Sequence, residues 1–166
     1  MTMTTDEASS LTTAQIAAIP VWLFQYSPRS ARALQLSWNA GEDLEYPALD
    51  RHADDIRLDD IVLFWRSGRG DTAGLIGFGV ASGVIEELSH PRNYQDPDGP
   101  RALRKSAEVA LCCVFDEPVI TRSELKQSPE FADFDLFRMP NRANAFEVAA
   151  AQWAIVRDRM EEVMGR

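Results

Sequence analysis

Two apolar runs separated by a short polar turn constrain the fold of this chain more than any other feature. Residues 61–65 and 75–84 are rich in valine, isoleucine, leucine and phenylalanine, and the segment between them is rich in glycine, arginine and aspartate. Such runs on either side of a glycine-containing turn predict a β-hairpin. Glycine weakens a strand unless a bulge or a close approach of two backbones requires it, so the recurring glycines of the second run predict such geometry there.

The turn end of this hairpin is the first candidate for a binding site. Trp65 lies where the first strand opens into the turn, and Arg66 and Ser67 follow it. An aromatic side chain beside polar groups and bare backbone can form the wall of a small pocket. By its strand position alone, Trp65 is equally well explained as a core residue.

The length and composition indicate one soluble globular domain. The chain has 166 residues, of which 45% are hydrophobic and 26% are charged, which is ordinary for a folded domain. No apolar run approaches the roughly 20 residues that span a bilayer, and the polar N-terminus does not resemble a signal peptide. We therefore expect a cytoplasmic protein with a flexible leader over 1–18, including a short helical turn near 13–19, and a single domain over 19–166.

The cysteines and histidines do not indicate a metal site. Cys112 and Cys113 are adjacent in a predicted strand, where neighbours point to opposite faces, so a disulfide between them would be strained. His52 and His90 provide too few further ligands for zinc. We expect neither a metal nor a cofactor.

The net charge limits the kind of nucleic-acid contact that this chain can make. The formal charge is −9 and the isoelectric point is about 4.7. Tight sequence-independent binding of nucleic acid depends on a basic surface, so any such contact must be local and made by a pocket.

The remaining pattern predicts an α+β fold of mostly antiparallel strands with peripheral helices, closed into a small barrel-like sheet. Thr121 and Glu124 match a capping box that starts a short helix, and Phe131 and Phe134 are expected to pack inward. The other predicted elements are a strand at 21–26, a helix at 29–38, a loop at 39–55, a long connection at 86–104, a strand at 108–115, a loop at 139–144, a strand at 145–148 and a helix at 149–164 whose apolar face holds Ala150, Trp153, Val156, Met160 and Met164.

Several segments, taken in order, resemble an EVE domain. They are VWLFQYSP at 21–28, IRLDDIVLFWRSG at 56–68, AGLIGFGV at 73–80, PVITRSEL at 118–125 and FEVAAAQW at 146–153. EVE domains belong to the PUA-like superfamily and are similar to YTH domains, which bind methylated RNA bases. The resemblance covers 21–156 and implies a pseudo-barrel that holds a modified, flipped-out nucleobase in an aromatic-walled pocket.

The resemblance also implies which residues form that pocket. Trp65 and Ser67 match the aromatic and small polar positions of the family, and Gln25 and Ser27 match the end of its first strand. The family usually has Gly-Asp where this chain has Asp59-Asp60, with an aromatic residue shortly before, for which Tyr46 is the nearest candidate. The implied base pocket is Trp65, Ser67, Tyr46, Gln25, Ser27, Trp22 and Trp38, and the implied phosphate contacts are Arg66 and Arg69.

Three function classes follow. The first is a module that binds a modified base of DNA or RNA, with DNA favoured, by base flipping, and that directs a partner such as a nuclease or another effector. The second is a protein-interaction or small-ligand module on the same scaffold, which the acidic composition suggests. The third is a hydrolase using paired carboxylates such as Asp59 and Asp60. The sequence contains no nucleophile elbow, zinc-binding helix motif or P-loop, so we expect no enzyme.

Overall fold

An eight-stranded sheet organises the structure, a computed structural model that describes residues 19–88, 103–138 and 144–165. The sheet is mostly antiparallel and carries helices on both faces, so the predicted α+β fold of mostly antiparallel strands with peripheral helices is confirmed. The strands are β1 (Val21–Tyr26), β2 (Leu44–Glu45), β3 (Ala48–Leu49), β4 (Ile61–Arg66), β5 (Gly74–Leu88), β6 (Leu103–Val114), β7 (Ile120–Thr121) and β8 (Phe146–Val148). The α-helices in these ranges are α1 (Pro28–Asn39), α2 (Arg122–Lys126), α3 (Asp135–Arg138) and α4 (Ala150–Met164), with 3₁₀ turns at Gly70–Thr72 and Pro129–Phe131.

The strand order places the first strand near one end of the sheet. The order is β2-β6-β5-β4-β1-β8, with β3 also paired to β6 and β7 to β5. Only β1 and β4 pair in parallel among the described strands, with Gln25 opposite Trp65 and Tyr26 opposite Arg66. The predicted hairpin is β4 and β5, which pair antiparallel with one register shift next to Trp65.

Both faces of the central strands are buried, which explains why β1 and β4 are apolar without alternation. Val21, Leu23, Leu63 and Trp65 face one core, together with α4 and the phenylalanines that precede it along the chain. The intervening side chains of the same strands face a second core against α1. On α4, Trp153, Val156 and Met160 are buried as predicted, whereas Ala150 and Met164 are exposed at its two ends.

The glycines of β5 fulfil the predicted roles. A side chain at Gly79 would collide with the backbone carbonyl of Ala110 on β6, so the two strands approach closely only because this position lacks a side chain. Gly83 has a φ of 150°, and the pairing of β5 with β6 shifts register between Ala81 and Gly83. This is the bulge geometry that glycine permits.

One asparagine joins the two ends of the sheet. The Asn144 side chain accepts from the Gln25 backbone N–H at 2.8 Å and donates to the Gln25 carbonyl at 2.9 Å. Its backbone carbonyl accepts from the amides of Asp50 at 2.8 Å and Arg51 at 3.0 Å, just after β3. Asn144 therefore links the end of β1 to the segment after β3, and we call this connection the seam.

Some predicted boundaries were wrong. The loop predicted at 39–55 contains β2 and β3, which are only two residues long and too short to show a periodic pattern. Strand β6 begins at Leu103 rather than at residue 108, because its first residues pair with the end of β5, with Lys105 opposite Glu86 and Leu103 opposite Leu88.

Other predictions lie partly outside the described residues. These are the leader at 1–18, most of the turn near 13–19, the part of the long connection at 89–102, His90 and the loop residues 139–143. Within the described ranges, no helix combines the length and apolarity needed to cross a bilayer. Within the same ranges, no three histidine, cysteine or acidic side chains cluster in a way that could hold a metal ion.

Candidate functional site

The end of β1 lies between two clefts. Strand β1 ends at Tyr26, and Ser27 caps the next helix by accepting from the Ser30 amide at 3.1 Å. This cap turns the chain sharply, so that the side chains around Gln25 line open space on either side of the strand end. Gln25 lines both clefts and forms the boundary between them.

The larger cleft, called here the α1 cleft, lies between α1, the β2–β3 segment and the seam. Its volume is about 580 Å³, within the ~300–1,000 Å³ that is typical of small-molecule sites. Its lining combines aromatic, apolar and hydrogen-bonding side chains. The lining residues are Gln25, Tyr26, Ser27, Ser30, Ala33, Leu34, Ser37, Glu45, Tyr46, Pro47, Ala48, Ser106 and Asn144.

A half-buried carboxylate forms a polar point in the α1 cleft. Glu45 accepts from the Tyr46 backbone N–H at 3.1 Å and from the Tyr26 hydroxyl. Burial raises the pKa of Glu45 above its ordinary value, and the nearby Glu42 carboxylate raises that pKa further. Burial and the Glu45 carboxylate also raise the pKa of Tyr26 well above its usual range. The Tyr26 hydroxyl therefore keeps its proton and can only donate toward Glu45 while that carboxyl is ionised.

Tyr46 gives the α1 cleft an accessible aromatic ring. It is 42% exposed, whereas Leu34 across the same cleft is 2% exposed. An exposed ring next to buried apolar side chains and hydrogen-bonding groups is suited to a flat, partly polar ligand.

The smaller cleft, called here the hairpin cleft, lies beside the β4–β5 turn. Its volume is about 380 Å³, and its lining is Gln25, Trp65, Ser67, Gly68, Arg69, Arg122, Leu136 and Phe137. Trp65 is only 2% exposed and packs on Phe137 with ring centroids 6.0 Å apart. Trp65 is thus a core residue with one edge at this cleft, and it does not face Tyr46 across the α1 cleft.

Arg122 also lines the hairpin cleft. It was not predicted as a site residue, because the sequence pattern shows only that it lies within a helix capping box. Its Nη1 atom donates to the Gly68 carbonyl at 3.3 Å, and its guanidinium carbon lies 5.7 Å from the centre of the Phe137 ring. Its Nε atom is buried and has no hydrogen-bond partner among the described residues. The sequence shows a basic residue directly after the Thr121 N-cap, but no nearby sequence pattern indicates that this residue contacts the β4–β5 turn.

Three of the predicted site residues lie elsewhere. Arg66 donates to the Thr72 carbonyl at 2.7 Å and pairs with Glu117 at 3.3 Å, so its guanidinium holds the turn and lines neither cleft. Trp22 is 4% exposed in the second core. Trp38 packs against the same core from α1, and neither tryptophan lines the α1 cleft or the hairpin cleft. The predicted pocket residues Gln25, Ser27 and Tyr46 do share one cleft, and Gln25, Trp65, Ser67 and Arg69 share the other.

The sequence profile of the EVE domain matches residues 20–159, which is most of the chain. The chain belongs to the EVE domain family. No curated protein matches it with significant similarity.

Solved structures share the fold of this EVE domain. A hypothetical protein from Leishmania major is 22% identical, with coverage of 89% of this chain and 98% of that chain and a TM-score of 0.57. A protein from Pseudomonas putida is 18% identical, with coverage of 84% and 98% and a TM-score of 0.58. Human THYN1, solved in complex with 5-methylcytosine-containing DNA, is 13% identical, with coverage of 82% and 95% and a TM-score of 0.50.

The structure explains a departure of this EVE domain from the Gly-Asp pair usual in the family. Asp59 has a φ of 71°, the left-handed region that favours glycine and that aspartate tolerates better than most residues. Asp60 is buried, and its carboxylate accepts from the Trp22 indole N–H at 3.0 Å and from the Arg57 amide at 2.9 Å. The pair therefore has a structural role, which argues against using it for hydrolysis.

Proposed function

We propose that this EVE domain binds a modified nucleobase of DNA in the α1 cleft. The observation that carries the proposal is the accessible Tyr46 ring next to a half-buried Glu45 and several hydroxyl groups at the end of β1. Support from outside the chain is the family match and the similarity in fold to human THYN1, which was solved with 5-methylcytosine-containing DNA.

The α1 cleft offers what an extruded base requires. A base removed from its strand loses stacking and the hydrogen bonds at its edge, and a binding site must replace both. The Tyr46 ring can stack on the base. Glu45 can accept from an exocyclic amino group, and Ser27 and Ser106 can donate or accept at the ring edge.

Apolar side chains in the cleft can favour the modified form. A methyl group adds a few tens of Å² of apolar surface, which at ~25 cal/mol per Å² contributes on the order of 1 kcal/mol, or roughly a fivefold gain in affinity. Ala33, Leu34 and Pro47 supply apolar contact within the lining. Discrimination of this size is measurable with matched oligonucleotides.

The direct test is replacement of Tyr46 by alanine. Because stacking on an aromatic ring contributes about 1–3 kcal/mol per base, Tyr46→Ala should weaken binding to a 5-methylcytosine oligonucleotide by roughly 5- to 150-fold. Tyr46→Phe should retain binding. Fluorescence anisotropy with labelled single strands and duplexes, each with cytosine, 5-methylcytosine or 5-hydroxymethylcytosine, measures this directly.

Leu58→Ala provides the matched control, because Leu58 is 67% exposed and lines neither cleft. A Tyr46→Ala protein that binds like this control would contradict the proposal. If the folded wild-type protein bound none of the oligonucleotides, the interaction or small-ligand module suggested by the net charge of −9 would be favoured instead. Base flipping, a nuclease or other effector partner and a cytoplasmic location stay predictions.

A further inference from the structure

We propose that the hairpin cleft binds the phosphodiester group next to the base held in the α1 cleft, with Arg122 as its main ligand. The identity of the anion rests on the proposed function. The site itself is inferred from the two arginines in the lining of the cleft and the charges around it.

The first observation is the state of the Arg122 guanidinium. An arginine presents five N–H donors, and the contacts described for this one are a long hydrogen bond to the Gly68 carbonyl at 3.3 Å and stacking on Phe137 at 5.7 Å. The Nε–H is buried and has no acceptor among the residues that the structure describes. The guanidinium therefore has donor capacity that its described protein contacts do not use, and an anionic acceptor in the cleft can take up hydrogen bonds from its terminal N–H groups.

The second observation is the local charge. The described lining of the hairpin cleft includes Arg69 and Arg122 and no carboxylate. Two acidic side chains of neighbouring segments are engaged by other arginines, since Glu117 pairs with Arg66 at 3.3 Å and Glu124 lies 3.5 Å from Arg159. Asp71 and Asp135 are close in sequence to lining residues but are not part of the lining. In a chain with a net charge of −9, this cleft is a local cationic site. Paired guanidinium groups match the geometry of phosphate oxygens.

The third observation is the position of the cleft. Gln25 lines both clefts, so the two clefts adjoin each other at this residue. A base in the α1 cleft and the phosphodiester group adjoining the same nucleotide require adjoining sites of this kind. Ser67, which also lines the hairpin cleft, can donate a further hydrogen bond to the same anion.

The test combines a protein variant with a chemically altered ligand. Arg122→Met keeps an apolar stem against Phe137 and removes the charge, and Arg57→Met is the control because Arg57 is exposed and lines neither cleft. A single-stranded 5-methylcytosine oligonucleotide is used in its natural form and with neutral methylphosphonate linkages on either side of the modified nucleotide. Affinity is measured by anisotropy between 50 and 200 mM salt, after circular dichroism shows that each variant is folded.

Arg122→Met should weaken binding about tenfold, the effect of losing hydrogen bonds from a charged donor. It should reduce the slope of log affinity against log salt by about 0.7, the value for one phosphate contact on a single strand. Discrimination between cytosine and 5-methylcytosine should be unchanged. One of the methylphosphonates should weaken the wild type by the same factor and leave Arg122→Met unaffected, which is the non-additivity expected of two groups in contact.

The results separate this site from the proposed function. If Tyr46→Ala loses binding while Arg122→Met behaves like Arg57→Met, the hairpin cleft proposal is overturned and the base site stands. An affinity that depends on a terminal 5′-phosphate and not on the internal linkages also overturns it. If the wild type binds no oligonucleotide, titration with dimethyl phosphate followed at the Arg122 Nε–H resonance decides the matter. A saturable shift there supports the anion site, and an unchanged resonance overturns it.

Discussion

Glu45 links the chemistry of the α1 cleft to the stability of the fold. Its carboxylate is half buried beside the Tyr26 hydroxyl and the Tyr46 amide, and burial is the largest cause of its raised pKa. A carboxylate of this kind is a strong acceptor for an amino group, but its charge is costly in the folded state when no ligand is present. The ionised Glu45 side chain therefore favours ligand binding but lowers the stability of the ligand-free fold.

The Glu45→Gln substitution measures how much the buried charge of Glu45 lowers the stability of the fold. The folded pKa lies above the unfolded value of about 4.3, so the stability linked to Glu45 is fully present below that value and is lost as the pH rises through the folded pKa. Glutamine does not titrate and still accepts from Tyr26. Because solvent screens this half-exposed group, we expect Glu45→Gln to raise the melting temperature at pH 7 by about 1–3 °C relative to the wild type.

At pH 4 the melting temperatures of Glu45→Gln and the wild type should nearly coincide. Thermal unfolding followed by circular dichroism at both pH values tests this. Glu161→Gln on the exposed end of α4 is the control and should give no such pH dependence. A Glu45→Gln difference that stays the same at both pH values would show that charge burial is not its cause.

At the scale of elements, long buried strands were predictable and short or charged ones were not. Strand β1 was predicted at 21–26 and occupies those residues, because both of its faces are buried and the sequence is therefore continuously apolar. Strands β2 and β3 depend on pairing with β6, which no two-residue segment can reveal. The start of β6 was missed because its charged first residues are in the sheet through backbone pairing with the end of β5, which their own sequence does not show.

Gly79 tests whether the close contact of β5 and β6 requires glycine. A Cβ at this position would lie against the Ala110 carbonyl and within 2.7 Å of a Val109 methyl group. We expect Gly79→Ala to destabilise the domain by about 1–3 kcal/mol, the usual cost of overpacking. Urea unfolding measures the change. The control is Cys112→Ala at an exposed position of β6, which should be nearly neutral. An equally neutral Gly79→Ala would show that the strands separate at little cost.

At the scale of the whole molecule, the site depends on contacts between distant parts of the chain. Gln25, Ser27 and Tyr46 were predictable because they follow a recognisable strand end or match a family position. Arg122 contacts the carbonyl of Gly68, although the two residues are 54 positions apart and strands β5 and β6 lie between them in the sequence. Asn144 reaches Gln25 across 119 positions. No local pattern encodes such pairings, so some of the residues that line the two clefts were predicted from the sequence and others were missed.

The seam can be weakened by one substitution. Asn144→Ala removes both side-chain hydrogen bonds to Gln25, so we expect a loss of about 1–3 kcal/mol in the free energy of unfolding. Asn144→Asp keeps an acceptor for the Gln25 amide and should lose less. Chemical denaturation gives the energies, and hydrogen exchange should show faster exchange at the Gln25, Asp50 and Arg51 amides. Asn39→Ala at the exposed end of α1 is the control, and unchanged exchange in Asn144→Ala would contradict the seam's role.

Asn144 belongs to both the seam and the lining of the α1 cleft. We therefore expect ligand binding in the α1 cleft to be coupled to the stability of the seam. A ligand present at a hundred times its dissociation constant adds about 2.7 kcal/mol to the stability of the form that it binds, enough to offset much of the damage from a weakened seam. The same coupling restricts how this position can evolve. A substitution of Asn144 that alters ligand specificity should also alter resistance to proteolysis, so the two properties cannot evolve independently at this position.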